Sequence, residues 1–325
     1  MARALSPHYA QLQKAAEWYA LLCADDATDQ DCARWRTWLD QNDEHKKAWQ
    51  TVEAVSHRFE GLREERDAST AALKSVRKLR GSRRQALGIL GIALGAGVLT
   101  AMPWRHASLF DSVLAWRSDY HTDIGEVREF ELEDGTHVWL NTASALNVDY
   151  RKDTRHLQLL AGEAIFTTGK DARPFIVESM HGRMRALGTK FSVRQTSSAT
   201  QLAVYEHAVE MQTTGSATKK IIHAGQRVTF DQHRIHNTEP ASPAQAAWSK
   251  GLLIAEDMPL RELITELGRY RRGHLGISPE IANLRIIGTY PIKDTDQALA
   301  MLEHALPVRI QRTMPWWVTV EAIPK

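Results

Sequence analysis

Cysteine is nearly absent from this chain of 325 residues, which has only Cys23 and Cys32. Everything after Cys32 must therefore be held by its own apolar core and not by disulfides, and the separation of the pair fits no zinc-ligand spacing. Hydrolase and nucleotide-binding signatures are missing too: there is no Gly-x-Ser-x-Gly, no His-Glu-x-x-His and no phosphate-binding glycine loop. His233 and His236 sit in a polar stretch without cysteine or clustered carboxylates, so neither a metal nor a cofactor is expected. Glu163, within Gly-Glu-Ala, has no identifiable partner carboxylate and reads as a turn residue and not as a catalytic acid. Charge of one sign is also lacking. With 41 basic and 39 acidic residues the net charge is +2, which gives no overall field for nucleic acid. A secretory signal peptide is not apparent, because a long helical pattern precedes the first extended apolar run.

That run is the chain's most informative feature. Residues 86–104 read ALGILGIALGAGVLTAMPW and contain no charge. At about 1.5 Å per helical residue, such a run reaches across a hydrocarbon layer of about 30 Å. Lys74, Arg77, Lys78, Arg80, Arg83 and Arg84 precede it with no acid among them. This basic flank predicts a single-pass membrane protein with residues 1–85 in the cytoplasm and the larger remainder outside. Arg83 and Arg84 before a weakly apolar run also resemble a twin-arginine export signal. Both cysteines fall on the reducing side of that topology.

Residues 1–62 predict three short helices, and with a charge-rich linker they make a cytoplasmic region over 1–80. Ser6-Pro7 opens the first, with Leu12, Ala15, Ala16, Tyr19 and Leu22 at helical spacing. The second runs from Thr28 or Asp29 to Leu39, and the third from about Asp43 to Leu62. Trp18, Trp35, Trp38 and Trp49 lie in these first fifty residues. A unit this small buries little apolar area on its own, and large aromatics either fill its core or anchor a partner. Trp18 and Trp49 read as core; Trp35 and Trp38 extend the stripe of the second helix.

Residues 119–240 predict a compact all-β domain of short strands separated by turns. Glu126–Leu132 and His137–Leu140 flank Asp134-Gly135, a hairpin signal. Leu157–Leu160 and Ala164–Thr167 read as separate strands, and Met184–Leu187 and Phe191–Arg194 flank Gly188-Thr189. From Trp248 to Lys325 the pattern becomes two strand–helix–strand units, with helices at Pro259–Tyr270 and Thr295–Ala305, a small α+β domain.

Several motifs in order resemble the FecR family of membrane-bound sigma-factor regulators: GEVREFELEDGTHVWLNTASAL from Gly125, LQLLAGEAIF from Leu157, RPFIV from Arg173 and RALGTKFSV from Arg185. Trp248-x-x-Gly251-x-Leu253 and Leu267-x-Arg269-Tyr270 fit it too, as does the tryptophan-bearing N-terminus. The resemblance implies cytoplasmic helices that bind an extracytoplasmic-function sigma factor, with Trp18, Trp35, Trp38, Leu39 and Trp49 as candidate contacts. It implies a periplasmic FecR-like β domain and a last domain similar to the short signalling domain of secretins and TonB-dependent receptors. It further implies sensing of the signalling domain of an outer-membrane TonB-dependent receptor for an iron-siderophore or haem, and stepwise cleavage by membrane proteases. In related regulators the bond matching Gly188–Thr189 breaks by attack of the threonine hydroxyl on the preceding carbonyl, so self-cleavage is the one chemistry expected of an otherwise non-enzymatic protein. A membrane-bound DNA-binding regulator is the alternative. Against it, the helical segment is rich in acids, including Asp25, Asp26, Asp29, Asp31, Asp40, Asp43 and Glu44, whereas DNA binding needs a basic face.

Overall fold

The computed structural model describes residues 7–23, 28–56, 118–216 and 219–323. The linker beyond residue 56, the apolar run 86–104, and Arg83 with Arg84 lie outside the described residues. Among the described residues no helix is long and apolar enough to cross a membrane. The chain divides into two units, Pro7–Ser108 and Leu109–Lys325 with the first six residues.

In the first unit, α1 spans Pro7–Leu22, α2 spans Asp29–Asp40, and residues 43–56 are helical and form α3. The start of α2 is fixed by a reciprocal cap. The Thr28 hydroxyl accepts from the Asp31 N–H at 3.2 Å, and the Asp31 carboxylate accepts from the Thr28 N–H, also at 3.2 Å. Ala15, Ala16, Trp18, Ala48 and Val52 are buried, as their helical spacing requires.

The larger unit opens with a β domain whose centre is one strand. β1 (Tyr120–His121), β2 (Arg128–Glu131), β3 (His137–Leu140) and β4 (Ala145–Tyr150) lead to β5, which runs unbroken over Arg155–Thr167. β6 (Phe175–Ser179), β7 (Gly182–Ala186), β8 (Lys190–Gln195), β9 (Thr200–Glu206), β10 (Ala208–Thr213), β11 (Lys219–His223), β12 (Gln226–Phe230) and β13 (Glu239–Pro240) follow. The two strands expected within β5 are therefore one. Gly162 between them adopts φ +81°, and a Cβ there would come within 2.0 Å of the Ser144 hydroxyl, so only glycine lets the ladder continue through the bend. The first half of β5 pairs with β4 antiparallel and β6 parallel; the second half pairs antiparallel with β3 and β8. Side chains from both halves enter a single core, with Leu157, Leu159 and Phe166 packed among Phe175, Met184 and Phe191. The strict alternation of Gly182–Ala186, buried and exposed by turns, shows the period of a half-buried strand.

A 3-10 helix, Pro243–Lys250, capped by Ser242, then carries Trp248 and ends at Gly251. The remainder is β14 (Leu252–Pro259), α4 (Leu260–Gly268), β15 (His274–Ile277), β16 (Arg285–Pro291), α5 (Thr295–Ala305), β17 (Val308–Met314) and β18 (Trp317–Ala322). β14 pairs with β16, while β15, β18 and β17 form a second small sheet. Leu260, Leu263, Ile264 and Leu267 of α4 and Leu299 and Leu302 of α5 share a core with Val318 and Val320.

Candidate functional site

The aromatic residues of the helical unit divide into two roles. The Trp35 and Trp49 rings lie 4.8 Å apart, and Tyr19 packs on Trp49 at 5.7 Å, so these three tie the helices together. Tyr19 also hydrogen-bonds Ser56 through their hydroxyls. Trp18 is buried, with Lys14 and Arg34 over its ring at 5.6 and 5.8 Å. The indole N–H groups of Trp18 and Trp35 find no acceptor. Trp38, in contrast, is only half-buried and stacks on the His45 ring at 4.4 Å and 8°. With Ala33, Arg34, Thr37 and Gln41 it rims a shallow groove floored by Trp18. Leu39 is half-buried on the next position of α2.

Gly188–Thr189 lies between β7 and β8. Gly188 has φ +77° with open space where a Cβ would stand. Thr189 is 3 % exposed, and its Oγ1 is buried without a hydrogen-bond partner. Its backbone is held on both sides by Thr168: the Thr189 N–H donates to Thr168 Oγ1 at 2.9 Å, and the Thr168 N–H donates to the Thr189 carbonyl at 3.1 Å. A fixed backbone and an unengaged hydroxyl on the residue that follows the Gly188 carbonyl are what an intramolecular acyl shift needs.

Glu163 is not in a turn. It stands in the second half of β5, where both faces are covered: Ala164 and Phe166 point into the β-domain core, and Ile165 packs against Trp248, Tyr270 and Ile292 of the C-terminal part. Its carboxylate accepts from Asn141 Nδ2 at 2.9 Å, Trp248 Nε1 at 3.0 Å and Arg269 Nη2 at 2.8 Å. Arg269 also donates to Glu266 at 2.9 Å, and Glu266 accepts from Arg194 at 2.7 Å. Burial would push the Glu266 carboxyl up, but the charges of Arg194 and Arg269 outweigh it and hold the group below the usual carboxylate range. Burial likewise opposes the Arg269 charge, and Glu163 and Glu266 overcome it and raise the guanidinium. Tyr270 is raised by burial and by the nearby Glu163 charge. The residues that join Glu163 lie far from it in sequence, and the only local signal was that Trp248, Arg269 and Tyr270 fell within the motifs noted above.

His233 and His236 flank an ordinary turn in which Asp231 accepts from the N–H groups of His233 and Arg234 at 2.7 and 2.8 Å. Among the described residues no three His, Cys, Asp or Glu side chains converge to hold a metal ion.

Residues 118–210 match the FecR protein family, and residues 13–55 match a domain of unknown function, DUF4880. The fold is similar to two crystal structures, at 1.65 and 2.50 Å resolution, of a candidate anti-sigma factor from Parabacteroides distasonis. Each shares 20 % identity, covers 62 % of this chain and 97 % of that one, and superposes with TM-scores of 0.52 and 0.50. No curated protein matches the chain. A tryptophan-tied helical segment that matches DUF4880 thus precedes a β domain, strung on one bent strand, whose residues 118–210 match the FecR protein family.

Proposed function

We propose that this protein is an inner-membrane regulator of an extracytoplasmic-function sigma factor, acting by protein–protein contact. The observation that carries the reading is the order of its parts, a DUF4880 segment followed by a FecR region. In this reading residues 1–80 hold the sigma factor in the cytoplasm, using the groove of Trp18, Trp38 and Arg34 with neighbouring Leu39, while Trp35 and Trp49 keep the helices in place. Residues 86–104 span the membrane, and the basic flank sets the orientation. The β domain and the C-terminal α+β unit stand in the periplasm, where the latter, similar to a short signalling domain, receives the signalling domain of an outer-membrane TonB-dependent receptor. The receptor's cargo is then an iron-siderophore or haem.

Release of the cytoplasmic piece follows by proteolysis, with Gly188–Thr189 as a self-cleavage point. Thr189 Oγ1 adds to the Gly188 carbonyl carbon, the peptide C–N bond breaks, and the nitrogen takes up the hydroxyl proton. Water then hydrolyses the resulting ester. The unpartnered Oγ1 and the left-handed Gly188 support this step.

The test is affinity capture of the N-terminally tagged full-length chain from the native cell after crosslinking, with partners identified by mass spectrometry. Recovery of one small sigma factor is the expected result. Recovery of none, from a chain whose circular dichroism shows it folded, overturns the reading.

A further inference from the structure

The β domain and the C-terminal α+β unit each possess a complete apolar core, so neither needs the other for burial. What joins them is a small apolar cluster of Ile165, Trp248, Tyr270 and Ile292, with charge at its side. The charges form a closed row: Glu163, Arg269, Glu266 and Arg194, with successive contacts of 2.8, 2.9 and 2.7 Å. Glu163 and Arg194 face one another as register partners on β5 and β8. Glu266 and Arg269 lie a helical turn apart at the end of α4. The two residues of one rung are thus gripped by two positions a turn apart on one helix end. Thr142 Oγ1 adds a hydrogen bond to the Arg269 carbonyl at 3.1 Å, and Trp248 Nε1 adds one to Glu163.

Apolar contact alone is non-directional and lets packed surfaces slide. A row of alternating charges has one register. Ion pairs of this sort contribute orientation more than net stability, because the groups regain hydration when they separate. Interfaces between domains of one chain move by default unless they are large and apolar. Here the row carries no net charge, and each carboxylate has its own guanidinium.

We propose that the Glu163–Arg269–Glu266–Arg194 row is a latch between two arrangements, one with the C-terminal unit docked on β5 in a single orientation and one with it released. The docked arrangement dominates while the row is closed. When the row opens, Arg269 and Glu266 remain paired with each other across one helical turn, so the released unit carries no stranded charge. Release uncovers Ile165, Trp248 and Tyr270. The latch belongs to the structure of this unit and does not depend on what the helical segment binds.

The test is a pulsed electron–electron resonance distance measurement on the full-length chain. Nitroxides are placed through Lys152→Cys on the β domain and Ala300→Cys on α5, both exposed, with Cys23→Ser and Cys32→Ser removing the native thiols. The parent is expected to give one narrow distance distribution. Glu163→Gln with Arg194→Gln removes one acid and one base, and is expected to broaden the distribution and add a longer component. Trp248→Phe keeps the ring and deletes one donor to Glu163, and is expected to shift the distribution in the same direction by less. If the double variant does not fold, the Trp248→Phe result decides alone. A broad distribution in the parent, or an unchanged narrow one in the folded variants, overturns the proposal.

Discussion

The Arg155 guanidinium lies 2.5 Å from the Asp134 carboxylate, with both side chains buried at the hairpin turn between β2 and β3. Tyr150 donates to the same carboxylate at 2.9 Å, and Thr136 donates to it from both its backbone and its hydroxyl. Arg155 also donates to the Arg173 carbonyl and covers the Phe175 ring, so it ties the turn to the start of β6. Removing one partner strands a buried charge, so Arg155→Ala is expected to cost about 3–5 kcal/mol. Chemical denaturation followed by circular dichroism measures it. Burial opposes ionisation of Asp134, yet its donors prevail and hold the carboxyl below the ordinary value. Its stabilisation is therefore complete at neutral pH and is lost as pH falls below 3.8, and Asp134→Asn should flatten that part of the stability profile.

His274 gives a second, separate pH dependence. It stacks on Trp317 at 3.9 Å, and burial pushes it down to about 4. The unfolded chain binds this proton first, so stability falls between pH 6.5 and about 4 and levels off below. The loss is on the order of 3 kcal/mol. Thermal melts across that range should show the parent losing stability and His274→Gln losing less; parallel curves would remove His274 as the cause.

Thr189→Ala is expected to abolish any fragment ending at Gly188, while Thr189→Ser, which keeps a hydroxyl, retains it. Gly188→Ala meets no atom but must hold a left-handed backbone, which costs about 1 kcal/mol. Immunoblots with tags at both ends separate these cases. A single full-length band from the parent in its native cell would end the self-cleavage reading.

Trp35→Ala and Trp38→Ala should part company. Trp35 is packed on Trp49, and its loss is expected to cost about 3–5 kcal/mol and to melt the helical segment. Trp38 stacks on His45 at the rim of the groove, so Trp38→Ala should keep helicity and, on the proposed function, weaken capture of a sigma factor. Helix content by circular dichroism, read beside the captured amount, distinguishes them.

Ile287 is 80 % exposed on β16, the most exposed large apolar side chain of the C-terminal unit. Ile287→Asp should leave the melting temperature unchanged and, if this face receives the receptor, block induction of the regulated genes. Normal induction would move the receiving surface elsewhere.

Local chemistry was readable from sequence wherever it acts locally. Pro7 and Thr28 mark helix starts, Asp134-Gly135 marks a hairpin, and the alternation of Gly182–Ala186 marks a half-buried strand. Gly162 misled, because a glycine between two β-type runs usually ends a strand, and only the Ser144 side chain packed against it shows that the strand bends and continues. Glu163 misled for another reason. Its neighbours in sequence are small, and the groups that give it meaning stand 85 residues away at Trp248 and farther still at Arg269. Periodicity carries no information about contacts at that range.

β5 and β8 share six rungs, from Gly162–Gln195 to Thr167–Lys190. The C-terminal unit grips one end of this ladder through Glu163 and Arg194, and Thr189 with Thr168 closes the other. Ladder hydrogen bonds run across the strands. A pull directed along the strands loads all six rungs together, whereas a pull directed away from the sheet opens them one after another, starting at the gripped end. The heading of an applied force, more than its size, therefore governs whether the strand pair stays closed as far as Thr189.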